Sequence, residues 1–180
     1  MTKIEKELTH TYFSNKKISS KCPKNLFLQK ISTMKILILN GPNLNLLGKR
    51  EPEIYGHLSF DEYLVQLRER FLQHEIAYFQ TNHEGVMIDK LQEADSQYDA
   101  VVMNPGGYAH TSIALADCIR AISIPVVEVH ISDISKREPY RRHSYTAEAC
   151  VKWIYGWGLE GYAEAIEFFT LKNQAMTTFQ

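Results

Sequence analysis

The sequence predicts an α/β fold with five parallel strands and helices on both faces of the sheet. Short apolar runs alternate along the chain with stretches whose apolar residues recur every three or four positions, a pattern typical of strands alternating with amphipathic helices. The strand runs are rich in Val, Ile and Leu, as expected where both faces of a parallel sheet are covered. At 180 residues, of which 44% are hydrophobic and 11% aromatic, the chain is long enough for one domain with an ordinary core.

The first predicted strand is KILILN at 35–40, and the first predicted helix is SFDEYLVQLRERFLQHE at 59–75. The apolar residues of this helix fall on one stripe, at Phe60, Tyr63, Leu64, Leu67 and Phe71. Ser59 and Glu62 have the spacing of a capping box at its start. The later elements are strand 76–82, helix 84–94, strand 99–104, helix 111–122, strand 125–131, strand 150–156 and helix 158–173. Five strands favour a flavodoxin-like, doubly wound sheet over a barrel, which needs eight.

The first 33 residues differ in composition from the rest. They contain seven lysines but only two acidic residues, Glu5 and Glu7. The stretch has neither the apolar core of a signal peptide nor the arginines of a mitochondrial presequence, and charged, apolar-poor termini rarely order themselves. We predict a flexible extension at 1–33, with Met34 as the functional start of a single domain at 34–180. A helix that packs on a neighbouring subunit is the alternative.

Composition excludes several classes of partner. A formal net charge of −1 gives no overall field to attract nucleic acid or an anionic membrane. No apolar run approaches the roughly 20 residues that a membrane span needs. The three cysteines, Cys22, Cys118 and Cys150, fit no zinc spacing, and an odd number favours a reducing compartment over a disulfide framework. We therefore predict a cytoplasmic protein.

Polar side chains follow four of the predicted strands, in the segments NGPNLN, TNHEG, NPGGYAHTS and EVHIS. These segments contribute Asn40, Asn43, Asn82, His83, Glu84, Asn104, His110, Glu128 and His130. Any one of these residues has an ordinary structural explanation, since Asn favours turns and a lone His is commonly structural. Because ligands bind beyond the carboxyl ends of parallel strands, their convergence on one edge predicts a functional site there.

The residues at this edge of the sheet lack the motifs of several common enzyme classes. The segment GPNLNLLGK lacks the spacing of a Walker loop, and neither GxGxxG nor GxSxG occurs at the expected places. What remains is amides that donate hydrogen bonds, imidazoles that move protons, a Pro-Gly-Gly backbone that lets a ligand approach closely, and the loop GKREPEIYG after the first strand. This set suits the removal of a proton beside a carbonyl.

Four segments carry a resemblance to a known family. ILNGPNLNLLGKREPEIYG, TNHEG, NPGGYAHTSIALAD, and PVVEVHIS followed by REPYRRHSY occur in order between about Lys35 and Tyr162. They resemble the signature segments of type II 3-dehydroquinate dehydratases, the cofactor-free dehydroquinases. The resemblance implies a lyase that converts 3-dehydroquinate to 3-dehydroshikimate without cofactor or metal, in the shikimate pathway of aromatic amino acid biosynthesis or in quinate metabolism. It also implies a homododecamer built as a tetramer of trimers.

The resemblance also assigns roles to residues of the catalytic domain. Tyr55 matches the catalytic tyrosine and Arg50 the lid arginine that supports it. His130 matches the general acid, and Asn43 the amide that holds water near an enolate. Substrate-binding positions are matched by Asn104, His110, Ile131, Ser132 and Arg141. Asp117 matches an acid that reaches a neighbouring subunit's site, and Arg137 matches a supporting residue nearby. Glu128, inside a predicted strand, is a candidate for orienting an imidazole, and a contact within the trimer is the alternative.

The pairing of Tyr55 with Arg50 has a physical reason. Tyrosine has a reference pKa of about 10, so only about one molecule in a thousand carries the phenolate at pH 7. A guanidinium beside it favours the anion and lowers the tyrosine pKa by roughly 1 to 3. We therefore expect Arg50 to turn Tyr55 into a base on a mobile lid.

Two other classes of function are alternatives to a cofactor-free lyase. A flavodoxin-like binding or regulatory module without catalysis would need a phosphate loop or an acidic pair after the first strand, where the sequence has Gly41, Pro42 and Asn43. A metal-dependent hydrolase or lyase would use residue types that bind zinc or manganese, here His83, Glu84, His110 and His130.

Departures from the family pattern occur beside the site. Asp133, Pro139 and Tyr140 replace residues that are usual in the family, which bears on contacts to the ring hydroxyls. Lys152, in the last strand, is interpreted as a lysine of an edge strand or an interface, and a Schiff-base role is the alternative.

Overall fold

Five parallel strands form the sheet in the residues that this computed structural model describes, 33–49 and 58–178. The strands are β1 (Lys35–Asn40), β2 (Glu75–Gln80), β3 (Ala100–Asn104), β4 (Val126–His130) and β5 (Lys152–Tyr155). They lie in the order β2-β1-β3-β4-β5. The helices of this part are α1 (Phe60–Arg70), α2 (Glu84–Gln97), α3 (Ile113–Ala121) and α4 (Glu160–Thr178). The predicted fold class is confirmed, whereas Arg50, Tyr55 and the predicted extension up to residue 32 lie outside the described residues.

The start of α1 follows directly from its sequence. Glu62 donates its backbone N–H to the Ser59 hydroxyl at 3.3 Å, and Ser59 donates its own N–H to the Glu62 carboxylate at 3.0 Å, so the predicted capping box is present. The helix ends at Arg70, earlier than predicted, because Phe71 leaves helical geometry with φ −118° and ψ 48°. A turn closed by a hydrogen bond from His74 N to Phe71 O then leads into β2.

Alternate residues of the central strands enter two separate hydrophobic layers. Ile36 and Ile38 of β1 pack on the face covered by α1 and α4, while Leu37 and Leu39 pack on the face covered by α2 and α3. The predicted stripe of α1 is buried in the first layer. Because each face of the sheet is covered by its own pair of helices, the described part is doubly wound, as predicted.

The strand order creates a crevice at β1. The chain passes from β1 to β2 on one side and then to β3 on the other, and the register pairs Asn40 with both Gln80 and Asn104. Gly41 follows β1 and donates its N–H to Asn104 O at 2.8 Å. A Cβ atom at Gly41 would lie 2.6 Å from Pro105 O, so the close approach of the two strand ends requires glycine.

Strand β5 forms one edge of the sheet. Lys152 of this strand is therefore an edge-strand residue, as predicted. Its Nζ forms an ion pair with Glu164 Oε1 of α4 at 2.9 Å. None of the helices in the described ranges combines the length and apolar character needed to cross a membrane.

Candidate active site

A cavity of about 210 Å³ lies beyond the carboxyl ends of β1, β3 and β4. Its apolar wall is formed by leucines of the short 3-10 turn that follows β1 and by Ile134. It brings together eight of the residues predicted for the site, namely Asn43, Asn104, His110, His130, Ile131, Ser132, Arg137 and Arg141. The parallel topology places them together, since the loops that carry them leave the same edge of the sheet.

A polar network holds Asn43 in place. Its backbone is left-handed, with φ 67°, a conformation that asparagine tolerates better than most residues. Asn43 N donates to Asn82 Oδ1 at 3.0 Å, and Gln80 Nε2 donates to the same oxygen at 3.1 Å. The Tyr108 hydroxyl donates to Asn82 O at 2.8 Å. Asn82, which was predicted at this edge, therefore supports the Asn43 loop and does not line the cavity.

Asn104 is fixed by a buried tyrosine. Its Nδ2 donates to the Tyr162 hydroxyl at 3.0 Å, and that hydroxyl donates to Asn40 Oδ1 at 2.8 Å. Asn104 Oδ1 accepts from Gly106 N at 3.2 Å, so both ends of the amide are held. Burial raises the pKa of Tyr162 above its usual range, so its hydroxyl stays neutral and keeps donating. Tyr162 was not predicted as a site residue, and the only signal for it in the sequence was its place at the end of the family resemblance.

His130 is oriented by a carboxylate inside the sheet. Its Nε2 lies 2.6 Å from Oε1 of Glu128, which is fully buried on the same strand. The Glu128 carboxylate also accepts hydrogen bonds from the hydroxyls of Ser144 and Thr146, at 2.6 and 2.5 Å. Glu128 was predicted as a supporting residue, whereas the hydroxyls of Ser144 and Thr146 were not predicted from the sequence.

His110 lies beside His130 and has a defined tautomer. Its Nδ1 lies 2.7 Å from the carbonyl oxygen of His143, which only accepts, so Nδ1 carries the proton and Nε2 is the basic nitrogen. The two imidazole rings stack with centroids 6.0 Å apart and planes inclined by 22°. Burial is the main cause that lowers the pKa of His110, with His130 and Arg141 acting in the same direction and the bond to His143 opposing them. His110 is therefore a neutral hydrogen-bonding group at pH 7.

Guanidinium groups line the other side of the cavity. Arg137 Nη1 donates to the Ser132 hydroxyl at 3.3 Å. Nε atoms of Arg137 and Arg141 lie 3.4 and 3.2 Å from Oε2 of Glu138, which spaces the two side chains. Arg141 also lies over the ring of Tyr140, 5.3 Å from its centroid. Two guanidinium groups beside a serine hydroxyl suit an anionic, hydroxylated ligand.

Some predicted residues do not contribute to this cavity. Asp117 lies on α3 with 69% of its side chain exposed and accepts a hydrogen bond from Arg120 at 3.2 Å. His83 and Glu84 lie where β2 leads into α2, outside the cavity lining. Within ranges 33–49 and 58–178, no group of three or more His, Cys, Asp or Glu side chains is placed to hold a metal ion.

The described part of the site can therefore orient a small polyhydroxylated acid and move one proton. The amides of Asn43 and Asn104 are available to hold oxygen atoms. The His130 imidazole, backed by a buried carboxylate, has the arrangement of a general acid or base.

Comparison with known proteins identifies the family to which this chain is similar. The family described as class II dehydroquinase matches residues 34–170. A 3-dehydroquinate dehydratase from Clostridium botulinum is 52% identical over 135 residues, which are 74% of this chain and 92% of that protein. The crystal structure of a type II dehydroquinase from Butyrivibrio crossotus has a TM-score of 0.73 and 44% identity, covering 76% of this chain and 97% of that one. Another, from Propionibacterium acnes, has the same TM-score at 39% identity, with 78% and 99% covered. Since the matched residues contain the whole sheet and the cavity at its edge, the chain belongs to the type II dehydroquinase family.

Proposed function

We propose that this chain catalyses the dehydration of 3-dehydroquinate to 3-dehydroshikimate, a step of the shikimate pathway. The observation that carries the proposal is the cavity, which in a chain of this family gathers two imidazoles, two side-chain amides and two guanidinium groups at the switch point of the sheet. The reaction requires a base beside the ketone, a group that stabilises an enolate oxygen, and an acid for the departing hydroxyl. The odd number of cysteines, three, favours the cytoplasm as the location of this protein.

The proton is removed by Tyr55, with Arg50 stabilising its phenolate form. Loss of a proton from the carbon beside the ketone gives an enolate, whose oxygen is stabilised by a water molecule held by Asn43. Preorganised donors of this kind commonly contribute about 3 kcal/mol to the stabilisation of a transition state. The fixed conformation of the Asn43 loop supports this role, since the Asn82 side chain holds the Asn43 backbone.

The departing hydroxyl is protonated by His130. Glu128 accepts from Nε2, so the proton delivered to the hydroxyl comes from Nδ1, the other ring nitrogen. A general acid with Nε2–H held by Glu128 must also carry a proton on Nδ1, so His130 acts in its doubly protonated form and returns to the Nε2–H form when Nδ1 has given up its proton. Water leaves, the electrons of the enolate form the ring double bond, and the ketone is restored.

The substrate is held through its carboxylate and hydroxyls. Arg141 lies where a guanidinium can bind the carboxylate, with Ser132 and the Ile131 backbone beside it and Arg137 in support. His110 and Asn104 bind ring hydroxyls. Neutral His110 accepts through Nε2, and Asn104 donates through an amide whose orientation Tyr162 fixes.

The active assembly is a homododecamer, a tetramer of trimers, in which Asp117 reaches the site of a neighbouring subunit. Its exposed position on α3, away from this chain's own cavity, supports that assignment. Light scattering of the purified protein tests the assembly. A fully active monomer would contradict it.

The alternative is a module of the same fold that binds the ligand without converting it. Proton NMR of 3-dehydroquinate with the purified protein, treated beforehand with a chelator, separates the two functions. The proposed enzyme produces the vinylic proton signal of 3-dehydroshikimate at an undiminished rate. Broadened substrate signals with no vinylic signal would instead indicate a binding module, and activity that returns only with added metal would indicate a metal-dependent lyase.

A further inference from the structure

We propose that Ser144 and Thr146 are positioning residues, whose hydroxyls lock the Glu128 carboxylate and thereby fix His130 with its proton on Nε2. This inference rests on the proposed function of His130 as the general acid. Both hydroxyls belong to the segment before β5, whereas Glu128 and His130 belong to β4. The hydrogen bonds to Glu128 therefore join two parts of the chain.

The carboxylate of Glu128 is fully buried, and both of its oxygens are engaged. Oε1 accepts from His130 Nε2 and from Ser144 Oγ, both at 2.6 Å. Oε2 accepts from Thr146 Oγ1. Because donors hold the two oxygens from different directions, rotation of the carboxylate would break at least one hydrogen bond. Burying a carboxylate without such partners carries a large desolvation cost.

The two hydroxyls are themselves held in place. Ser144 Oγ accepts the backbone N–H of Ala147 at 3.1 Å, which directs its own hydrogen towards Glu128. Thr146 is fully buried, and its carbonyl oxygen accepts from Cys150 Sγ at 3.3 Å. For Ser144 the hydrogen bonds therefore run in one direction, from the Ala147 N–H through the hydroxyl to the carboxylate, whereas Thr146 is restricted by its burial.

The consequence for His130 concerns which nitrogen carries the proton. A carboxylate that accepts from Nε2 keeps Nδ1 as the nitrogen that exchanges a proton with the substrate. If one hydroxyl is lost, the Glu128 carboxylate loses a donor and is free to rotate, and the imidazole loses the fixed partner that selects its tautomer. Binding of the substrate carboxylate, which depends on the arginines across the cavity, does not depend on these hydrogen bonds.

Other titratable and charged groups lie close to His130 and to Thr146. His110 stacks on His130, and Arg141 acts on His110. Cys150 lies behind Thr146, and its thiol pKa is raised mainly by burial and also by Glu128. Since all of these groups are retained in the variants below, a change in the His130 tautomer reports on the loss of the hydroxyl.

The test compares Thr146→Val, which removes the hydroxyl at constant shape, with Thr146→Ser, which keeps it. We expect Thr146→Val to lower kcat at least about tenfold, a fraction of what a general acid contributes, while KM changes by less than about threefold. Thr146→Ser should retain most of the activity. Nitrogen-15 NMR at a pH where the imidazole is neutral should show His130 as the Nε2–H tautomer in the wild type and Thr146→Ser, and a tautomer mixture in Thr146→Val.

A second pair of variants separates the positioning of Glu128 from a general loss of stability. Ser144→Ala removes a donor to Glu128 together with the hydrogen bond that its hydroxyl accepts from Ala147 N, whereas Ser112→Ala removes only a hydrogen bond of that second kind, from Leu115 N at 2.9 Å. We expect both to lose stability, but only Ser144→Ala to displace the His130 tautomer and to lower kcat. An unchanged tautomer and kcat in Thr146→Val or in Ser144→Ala would overturn the proposal. If the wild type does not convert 3-dehydroquinate, the proposed function fails, and the NMR comparison still decides whether the hydroxyls position His130.

Discussion

The hydroxyl of Tyr162 lies 3.0 Å from Nδ2 of Asn104 and ties helix α4 to the edge of the sheet where the cavity opens. Replacing Tyr162 by Phe leaves a buried amide donor and the oxygen of Asn40 without this partner. We expect a loss of about 1 to 3 kcal/mol in the free energy of unfolding. We also expect a higher KM with a smaller change in kcat, because Asn104 loses its orientation but the reacting groups remain.

Urea unfolding and steady-state kinetics measure these two effects. Tyr98→Phe is the matched control, because it keeps the ring that contacts Lys35 and lies away from the cavity, so its stability should change by less than about 0.5 kcal/mol. A Tyr162→Phe enzyme with unchanged KM would show that Asn104 does not need this support.

The proposed pairing of Tyr55 with Arg50 gives a prediction with a defined sign. Replacing Tyr55 by Phe would remove the proposed base, so kcat should fall by several orders of magnitude while substrate affinity changes modestly. Replacing Arg50 by Ala removes the charge that stabilises the phenolate, so the tyrosine pKa rises towards its reference value of about 10. Activity of Arg50→Ala should therefore be low at pH 7 and recover partly as the pH increases. An equal loss at every pH would identify Arg50 as a positioning residue.

Gly41 should tolerate no side chain. A Cβ atom there would lie 2.6 Å from Pro105 O and 2.8 Å from Pro105 C, and backbone atoms cannot move aside as a flexible side chain does. We expect Gly41→Ala to destabilise the protein by about 1 to 3 kcal/mol, the range usual for overpacking. Gly85→Ala is the control, because its Cβ would have no neighbour within 4 Å, so its stability should change by less than about 0.5 kcal/mol. Equal stabilities of the two variants in thermal unfolding would refute the close approach.

His74 should make stability depend on pH. Its Nδ1 accepts from Met34 N at 3.2 Å, and its Nε2 lies 2.8 Å from the Thr170 hydroxyl, which donates to Ile166 O. Both nitrogens are therefore used by the neutral ring, and burial lowers the pKa of His74. As the pH falls, His74 is protonated first in the unfolded chain, near its ordinary pKa of about 6.5. The contribution of neutral His74 to the free energy of unfolding is therefore complete above about pH 6.5, and it is lost as the pH falls through the lower pKa of the folded protein.

The comparison with His74→Gln isolates this effect. The burial that lowers the pKa of His110 acts in the same direction but is present in both proteins. Urea unfolding at about pH 8 and about pH 5.5 should show a larger loss of stability in the wild type than in His74→Gln. The same loss in both proteins would mean that His74 titrates alike in the folded and unfolded chain.

The sequence predicts local features and the edge where they meet. The capping box at Ser59 follows from four consecutive residues, and the grouping of Asn43 with His130 follows from the rule that parallel strands end at one edge. Tyr162 could not be found this way, because its hydroxyl donates to Asn40, 122 residues earlier. Ser144 and Thr146 contact a carboxylate 16 and 18 residues away, across a connection that no periodicity specifies.

The most direct test of the account is an ultraviolet assay for the conjugated enone of 3-dehydroshikimate, with purified protein and 3-dehydroquinate and no added metal. We expect absorbance to rise at a rate proportional to protein concentration. We also expect His130→Gln to lower kcat by about 10² to 10⁴, the range that a general acid contributes. No rise in absorbance with folded wild-type protein would contradict the proposed activity, and a rise of equal rate in His130→Gln would contradict the role of His130.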